Sequence, residues 1–271
     1  MAHGLADASH CPDCRVVTFA LPALLESFSR SRSRSRPRAA GLASLRETPR
    51  PVQREIDERD RVFAFLLALP LELSEQRDTV PVGVATLVGG CTVAFVLDVL
   101  SDGALRSAFS FSTADGYVRA VIGSLTSAFV HLDLLHLLGN MYFLYAFGRL
   151  LERRLSTVAI LWLFATSAIT ASLAFWALHV GQDARMAGAS GAVSGILGCY
   201  LALFPGRMVG VSLFFFVLRV PAVLYLGWWL LVQLVSVPEE QGIAYSAHAG
   251  GALAGFVWAL VIRMTTDYDP D

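Results

Sequence analysis

Three short polar groups interrupt the apolar stretches of this sequence, and their residue types are those of acyl transfer. Gly188-Ala189-Ser190-Gly191 sets a serine between glycines at the start of an apolar segment; His131 and His136 are followed by Asn140; a third group reads Ser246-Ala247-His248. A serine hydroxyl becomes a competent nucleophile when an imidazole takes its proton, and the same imidazole can return that proton to a leaving amine. The tetrahedral oxyanion formed in between needs hydrogen-bond donors, which His136, the Asn140 amide and the Ser190 backbone N–H could supply. Ser190 and His248 therefore read as a dyad. Near these groups the only acid at a suitable depth is Asp133, so no triad is expected. The plainer alternative is that the glycines pack helices and the serine bonds to its own backbone.

These groups must be carried by elements in a bilayer. The chain has 271 residues, of which 55% are hydrophobic and 16% charged, with a mean hydropathy of +0.57, far too apolar for a soluble domain of this size. Six apolar segments are long enough to be read as membrane spans, at about 81–100, 125–148, 156–179, 187–204, 220–237 and 246–263. Arg207 to Arg219 reads as an interfacial connection between the fourth and fifth. Arginines of the N-terminal tail, Arg149, Arg153, Arg154, Arg207, Arg219 and Arg263 fall on one side, which places both termini in the cytoplasm. This asymmetry bears on topology and not on nucleic acid.

Spans two, four and six then run inward from the outer side, and each places its polar group in its first turns. At ~1.5 Å per residue, Ser190 and His248 lie about one turn in, at a common depth. His136 and Asn140, four residues apart, share a helix face. Gly188, Gly191, Gly195 and Gly198 line one face of span four, and Gly251 and Gly255 form a GxxxG three residues beyond His248. Such faces let two backbones approach closely and would bring the serine to the histidine.

Residues 1–78 read as a largely disordered cytoplasmic tail, because the Ser29–Arg36 alternation cannot bury enough apolar surface to fold. Val62 to Leu73 is apolar but too short to span and is expected in the interface. Cys11 and Cys14 with His3 and His10 have the types of a zinc site; a single CxxC is the weaker reading beside an exposed, reduced pair, and no metal or cofactor is expected. Residues 79–264 form the membrane domain and 265–271 a short cytoplasmic end. The fold expected is all-α, a polytopic bundle of six transmembrane helices.

In these residues the chain resembles the rhomboid intramembrane serine proteases, over about residues 80 to 263: Gly188-Ala189-Ser190-Gly191, His131-x4-His136-x3-Asn140 and Ala247-His248-x2-Gly251-x3-Gly255 stand in the family's order on its six spans. The resemblance implies Ser190 as nucleophile, His248 as general base, His136 and Asn140 as oxyanion donors, and His131 as a mainly structural histidine. It implies a peptide bond in or beside a transmembrane helix of another protein as substrate, within the lipid bilayer. The loop Pro238 to Gly242 would be a cap over the site, and span five a lateral gate. Two places depart from the family pattern. Ile122 and Gly123 stand where a Trp-Arg pair is common, and Ser194 stands where an aromatic residue often backs the catalytic histidine. Ser194 is also a rival nucleophile, a turn deeper. The alternatives are a proteolytically inactive relative that escorts transmembrane helices and, behind it, a transporter using the three histidines. A bacterial inner membrane is the expected location, with the site opening to the extracytoplasmic side; the alternative is an organellar membrane, since an Arg/Ser-rich start is also how transit peptides look.

Overall fold

The computed structural model describes residues 70–72, 80–213, 216–235 and 244–266. Expectations for the tail, for Cys11 and Cys14, for most of Val62 to Leu73, for the Pro238 to Gly242 loop and for the last residues fall outside that range.

A helix occupies each of the six apolar segments. These are α1 (Val82–Leu100), α4 (Leu134–Arg154), α5 (Thr157–Leu178), α6 (Ser190–Leu203), α7 (Ala222–Val235) and α8 (Tyr245–Thr265). Between α1 and α4 lie two shorter helices, α2 (Ala104–Phe109) and α3 (Tyr117–Thr126). By length and composition α1, α5 and α8 are able to cross a membrane.

The centre is α6. Its 14 residues extend only ~21 Å at 1.5 Å per residue, less than a hydrocarbon core of about 30 Å. Twelve of them are buried, so neighbouring helices rather than lipid surround it, and its length need not match the bilayer. The helices α4, α5, α7 and α8 all pack on it.

Helix boundaries differ from the hydropathy windows where side chains cap the chain. The second helix begins at Leu134, not near 125, because the Asp133 carboxylate accepts the His136 N–H at 2.8 Å and sets the N-terminus there. Residues 125–133 instead finish α3 and turn. At its far end α4 continues past 148 through Arg149 and Glu152, both buried. Glu152 is kept there by its partners. Its two carboxylate oxygens accept the N–H groups of Gly83 at 2.7 Å and Val84 at 2.8 Å, and Thr157 Oγ1 donates to it at 2.6 Å. The start of α1, preceded by Pro81 with no side-chain cap of its own, is thus capped by a carboxylate from another helix.

The all-α expectation needs correction. The connection read as an interfacial loop is a β-hairpin, β4 (Met208–Leu213) and β5 (Phe216–Pro221), joined on its other edge by β1 (Pro70–Glu72) in an order β1-β4-β5. Val209, Val211, Val217 and Val220 favour extended backbone, and pairing satisfies the backbone N–H and C=O groups of these strands. A second pair joins β2 (Phe111–Ser112) to β3 (Arg185–Met186), antiparallel. The molecule is predominantly helical with two small sheets.

Glu152→Ala leaves the Gly83 and Val84 amides without acceptors in a buried place. The expected loss is roughly 3 kcal/mol of stability, read as a lowered midpoint of thermal unfolding in detergent, with Glu152→Gln intermediate.

Candidate active site

The turn leading into α6 is held by its own backbone. Gly188 N–H donates to the Ser127 carbonyl at 2.9 Å, and Ala189 N–H donates to His131 Nε2 at 3.3 Å. His131 is fully buried, and its other nitrogen, Nδ1, lies 3.3 Å from the Phe129 carbonyl. Since Nε2 accepts, Nδ1 must carry the proton, and the neutral ring clamps residues 129 and 189 together. His131 is therefore a bracket for the turn that presents Ser190.

Gly188 has φ +127°, a conformation L side chains rarely adopt, and a Cβ built there would lie 2.5 Å from His136 Cε1 and 2.8 Å from Nε2. The ring of His136 occupies the space the missing side chain leaves. His136 also meets His131 edge to face, centroids 5.3 Å apart. Its Nδ1 is buried and has no hydrogen-bond partner among the described residues.

Ser190 opens α6, and with Gly188, His136 and His248 it lines one cavity of about 830 Å³. Ser194 is different. It is fully buried and its Oγ donates to the Ser190 carbonyl at 2.7 Å, so its hydroxyl is occupied within the helix. Asn140 lines a second, smaller cavity of about 230 Å³ together with Ser190 and His136, and its Nδ2 donates to the His136 carbonyl at 2.9 Å. One of its two amide hydrogens is thereby committed.

His248 sits in the first turn of α8 and is buried. Tyr245 stands 6.4 Å away, edge on, and Trp229 of α7 6.2 Å away at a 31° tilt. These two rings flank the imidazole, whereas position 194 carries no aromatic residue. The sequence reading missed both: Tyr245, three residues before His248, shares its helix face and could have been found by that spacing, whereas Trp229 comes from another helix and left no local signal.

The glycine faces meet as their spacing suggests. The Gly191 carbonyl oxygen lies against Gly251, and the Gly195 carbonyl oxygen against Gly255, so close that any Cβ at either partner would overlap it. Gly198 faces the Ala252 carbonyl, where a Cβ would lie at 2.5 Å. At the Ile122-Gly123 departure, Gly123 lets α3 rest on β2, with the Phe111 Cα 3.3 Å from a built Cβ. The helix α3 exposes Tyr117, Val118, Val121 and Ile122, an apolar surface fit for the membrane interface. Ser172 Oγ donating to the Ser124 carbonyl at 3.1 Å ties it to α5.

Comparison with known proteins adds a family model described as a Rhomboid domain, matching residues 118–265. The chain is 33% identical over 164 residues to Rhomboid protein 1, mitochondrial, of Saccharomyces cerevisiae, covering 56% of this chain and 44% of that protein. It is 32% identical over 156 residues to RHOMBOID-like protein 12, mitochondrial, of Arabidopsis thaliana, covering 51% and 45%. With Rhomboid-like protein 11, chloroplastic, of the same plant, it is 28% identical over 163 residues, covering 54% and 55%. The chain thus spans about half the length of these curated relatives. Their names overturn the expectation of a bacterial inner membrane with cytoplasmic termini: the relatives are proteins of organelles. An Arg/Ser-rich start suits an organellar transit sequence as well as a cytosolic tail, and composition by itself does not separate them.

Replacing His131 by Phe keeps the volume and removes the acceptor for the Ala189 N–H. Loss of one buried bond, about 1–2 kcal/mol, should raise amide hydrogen exchange at residues 188–190 about tenfold or more. Hydrogen-exchange mass spectrometry checks this, with exchange in the middle of α5 expected to stay unchanged.

Proposed function

Since the chain belongs to the rhomboid family, we propose that it is an intramembrane serine endopeptidase acting on transmembrane helices of other membrane proteins, with Ser190 as nucleophile and His248 as general base. The observation that carries the reading is one cavity lined by Ser190, His248 and His136 together.

In this mechanism His248 takes the Ser190 proton as Oγ bonds to the scissile carbonyl carbon. The oxyanion is received by the Ser190 N–H and the His136 ring, with the remaining Asn140 amide hydrogen reaching it from the smaller cavity. His248 then gives its proton to the leaving amine as the C–N bond breaks, leaving an acyl-serine. Water, deprotonated by His248, hydrolyses that ester and restores the hydroxyl. Trp229 and Tyr245 fix the plane of the His248 ring, and His131 fixes the turn that presents Ser190.

The membrane arrangement follows the same reading. The helices α1, α4, α5, α6, α7 and α8 cross the bilayer as the six spans of the domain at 79–264. A substrate helix comes in from the side between α4 and α7, where Leu135, Phe143 and Trp229 line the smaller cavity. Backbone groups of a helix in lipid are all internally paired, so the substrate must unwind locally before Ser190 can reach a carbonyl. The relatives' names support a membrane of an organelle as the place where it acts.

The test compares Ser190→Ala with Ser194→Ala in liposomes containing a single-span substrate. Ser190→Ala should reduce cleavage by at least about 10³-fold and abolish labelling by a fluorophosphonate. Ser194→Ala, which loses only an internal backbone bond, should stay within about tenfold of the parent. Undiminished cleavage in Ser190→Ala sinks the mechanism, and labelling with no cleavage of any substrate favours the helix-escort alternative.

A further inference from the structure

The cavity that holds Ser190 is lined by two arginines, Arg106 and Arg185, and by one carboxylate, Asp133. Two of these three charges are answered within the protein. Arg106 Nη1 donates to the Leu132 carbonyl at 2.7 Å, and its Nε lies 3.7 Å from the buried Asp98 carboxylate. Asp133 accepts the His136 N–H and sits at the N-terminus of α4, where the helix dipole favours a negative charge.

Arg185 is the exception. Its side chain has no hydrogen bond or ion pair to any described residue, and the residue is exposed at the cavity wall. Its backbone, by contrast, is held firmly. Arg185 pairs with Ser112 in the β2–β3 ladder, while Thr113 N–H donates to the Ala184 carbonyl and Ala184 N–H to Thr113 Oγ1, each at 3.0 Å. Five residues on from Arg185, Ser190 opens α6 and lines the same cavity. A guanidinium on a fixed backbone beside the nucleophile, without an internal partner, is a preformed half of an ion pair. Its planar fork matches a carboxylate, and a partly enclosed recess strengthens such a pair beyond what an open surface allows.

We propose that Arg185 is a specificity-determining residue that pairs with an aspartate or glutamate side chain of the substrate, carried on the unwound segment that lies along β3 beside the scissile bond. This rests on the endopeptidase reading above. It predicts selection by charge close to the cleaved bond, acting on substrate binding rather than on the chemical step.

The test uses the full chain in neutral phosphatidylcholine liposomes with pairs of single-span substrates. Members of a pair differ only in Glu or Lys, placed in turn at each of the four positions preceding and following the scissile bond. At one or two positions the parent enzyme should prefer Glu over Lys by about tenfold in kcat/KM, mostly through KM, as fits one charge-assisted pair in a partly solvated place. Arg185→Lys should keep the direction of preference, and Arg185→Glu should invert it at the same positions. A ratio unmoved by Arg185→Glu at every position, with cleavage still lost in Ser190→Ala, overturns this inference and leaves the protease reading standing. Cleavage that survives Ser190→Ala overturns both. If Arg185→Glu changes only the enzyme's affinity for vesicles containing phosphatidylglycerol, the guanidinium belongs to a lipid headgroup, and the proposal falls.

Discussion

Between α6 and α8 the two backbones touch. The carbonyl oxygens of Gly191 and Gly195 lie where side chains of Gly251 and Gly255 would otherwise begin, and nothing but glycine can sit at those places. In lipid the removal of apolar surface from water does not drive helices together, so close dispersion contact and carbonyl alignment carry the association. The contact also sets the register of the chemistry. Gly191 follows Ser190 directly and Gly251 is three residues from His248, so a slip of α8 by one residue would rotate the imidazole out of the cavity. Burial of α6 on nearly every side follows from this contact, and burial in turn allows it to be short.

The three histidines show how one side-chain type acquires three roles from its surroundings. His131 has both ring nitrogens placed against backbone groups and acts as a bracket. His136 has its backbone tied to Asp133 while Nδ1 is left without a partner. His248 lies between two aromatic rings from two helices. A similar contrast separates the serines: Ser194 spends its hydroxyl on the Ser190 carbonyl, whereas Ser190 faces the cavity.

What was legible in the sequence was what is encoded locally. Four-residue spacing put His136 and Asn140 on one face, and glycine spacing identified the helices that meet. Hydropathy found the apolar segments but not their ends, because it does not register that the Asp133 side chain caps a helix or that Glu152 can be buried when it receives two amides. Trp229 beside His248, and Arg185 beside Ser190, depend on how distant elements are laid together. The sheet was the least visible feature: Pro70 pairs with Val211, some 140 residues on, and a three-residue strand carries no period of its own. The destination membrane was equally opaque, since arginine and serine serve a tail and a transit sequence alike.

The two small sheets impose a parity rule on the path of the chain. Strands that share hydrogen bonds lie on the same side of a bilayer, so the number of crossings between them is even. Glu72 and Met208 flank the β1–β4 pairing, and in the six-span arrangement proposed above the four helices between them, α1, α4, α5 and α6, satisfy the rule. Ser112 and Arg185 are joined in the other sheet, with α4 and α5 between. In that arrangement a single crossing by α1 separates the sheets, one at each surface, like two buckles on opposite faces of one strap. Gain or loss of any one crossing inside either loop would break its buckle, so insertions and deletions that preserve this architecture must add or remove spans in pairs.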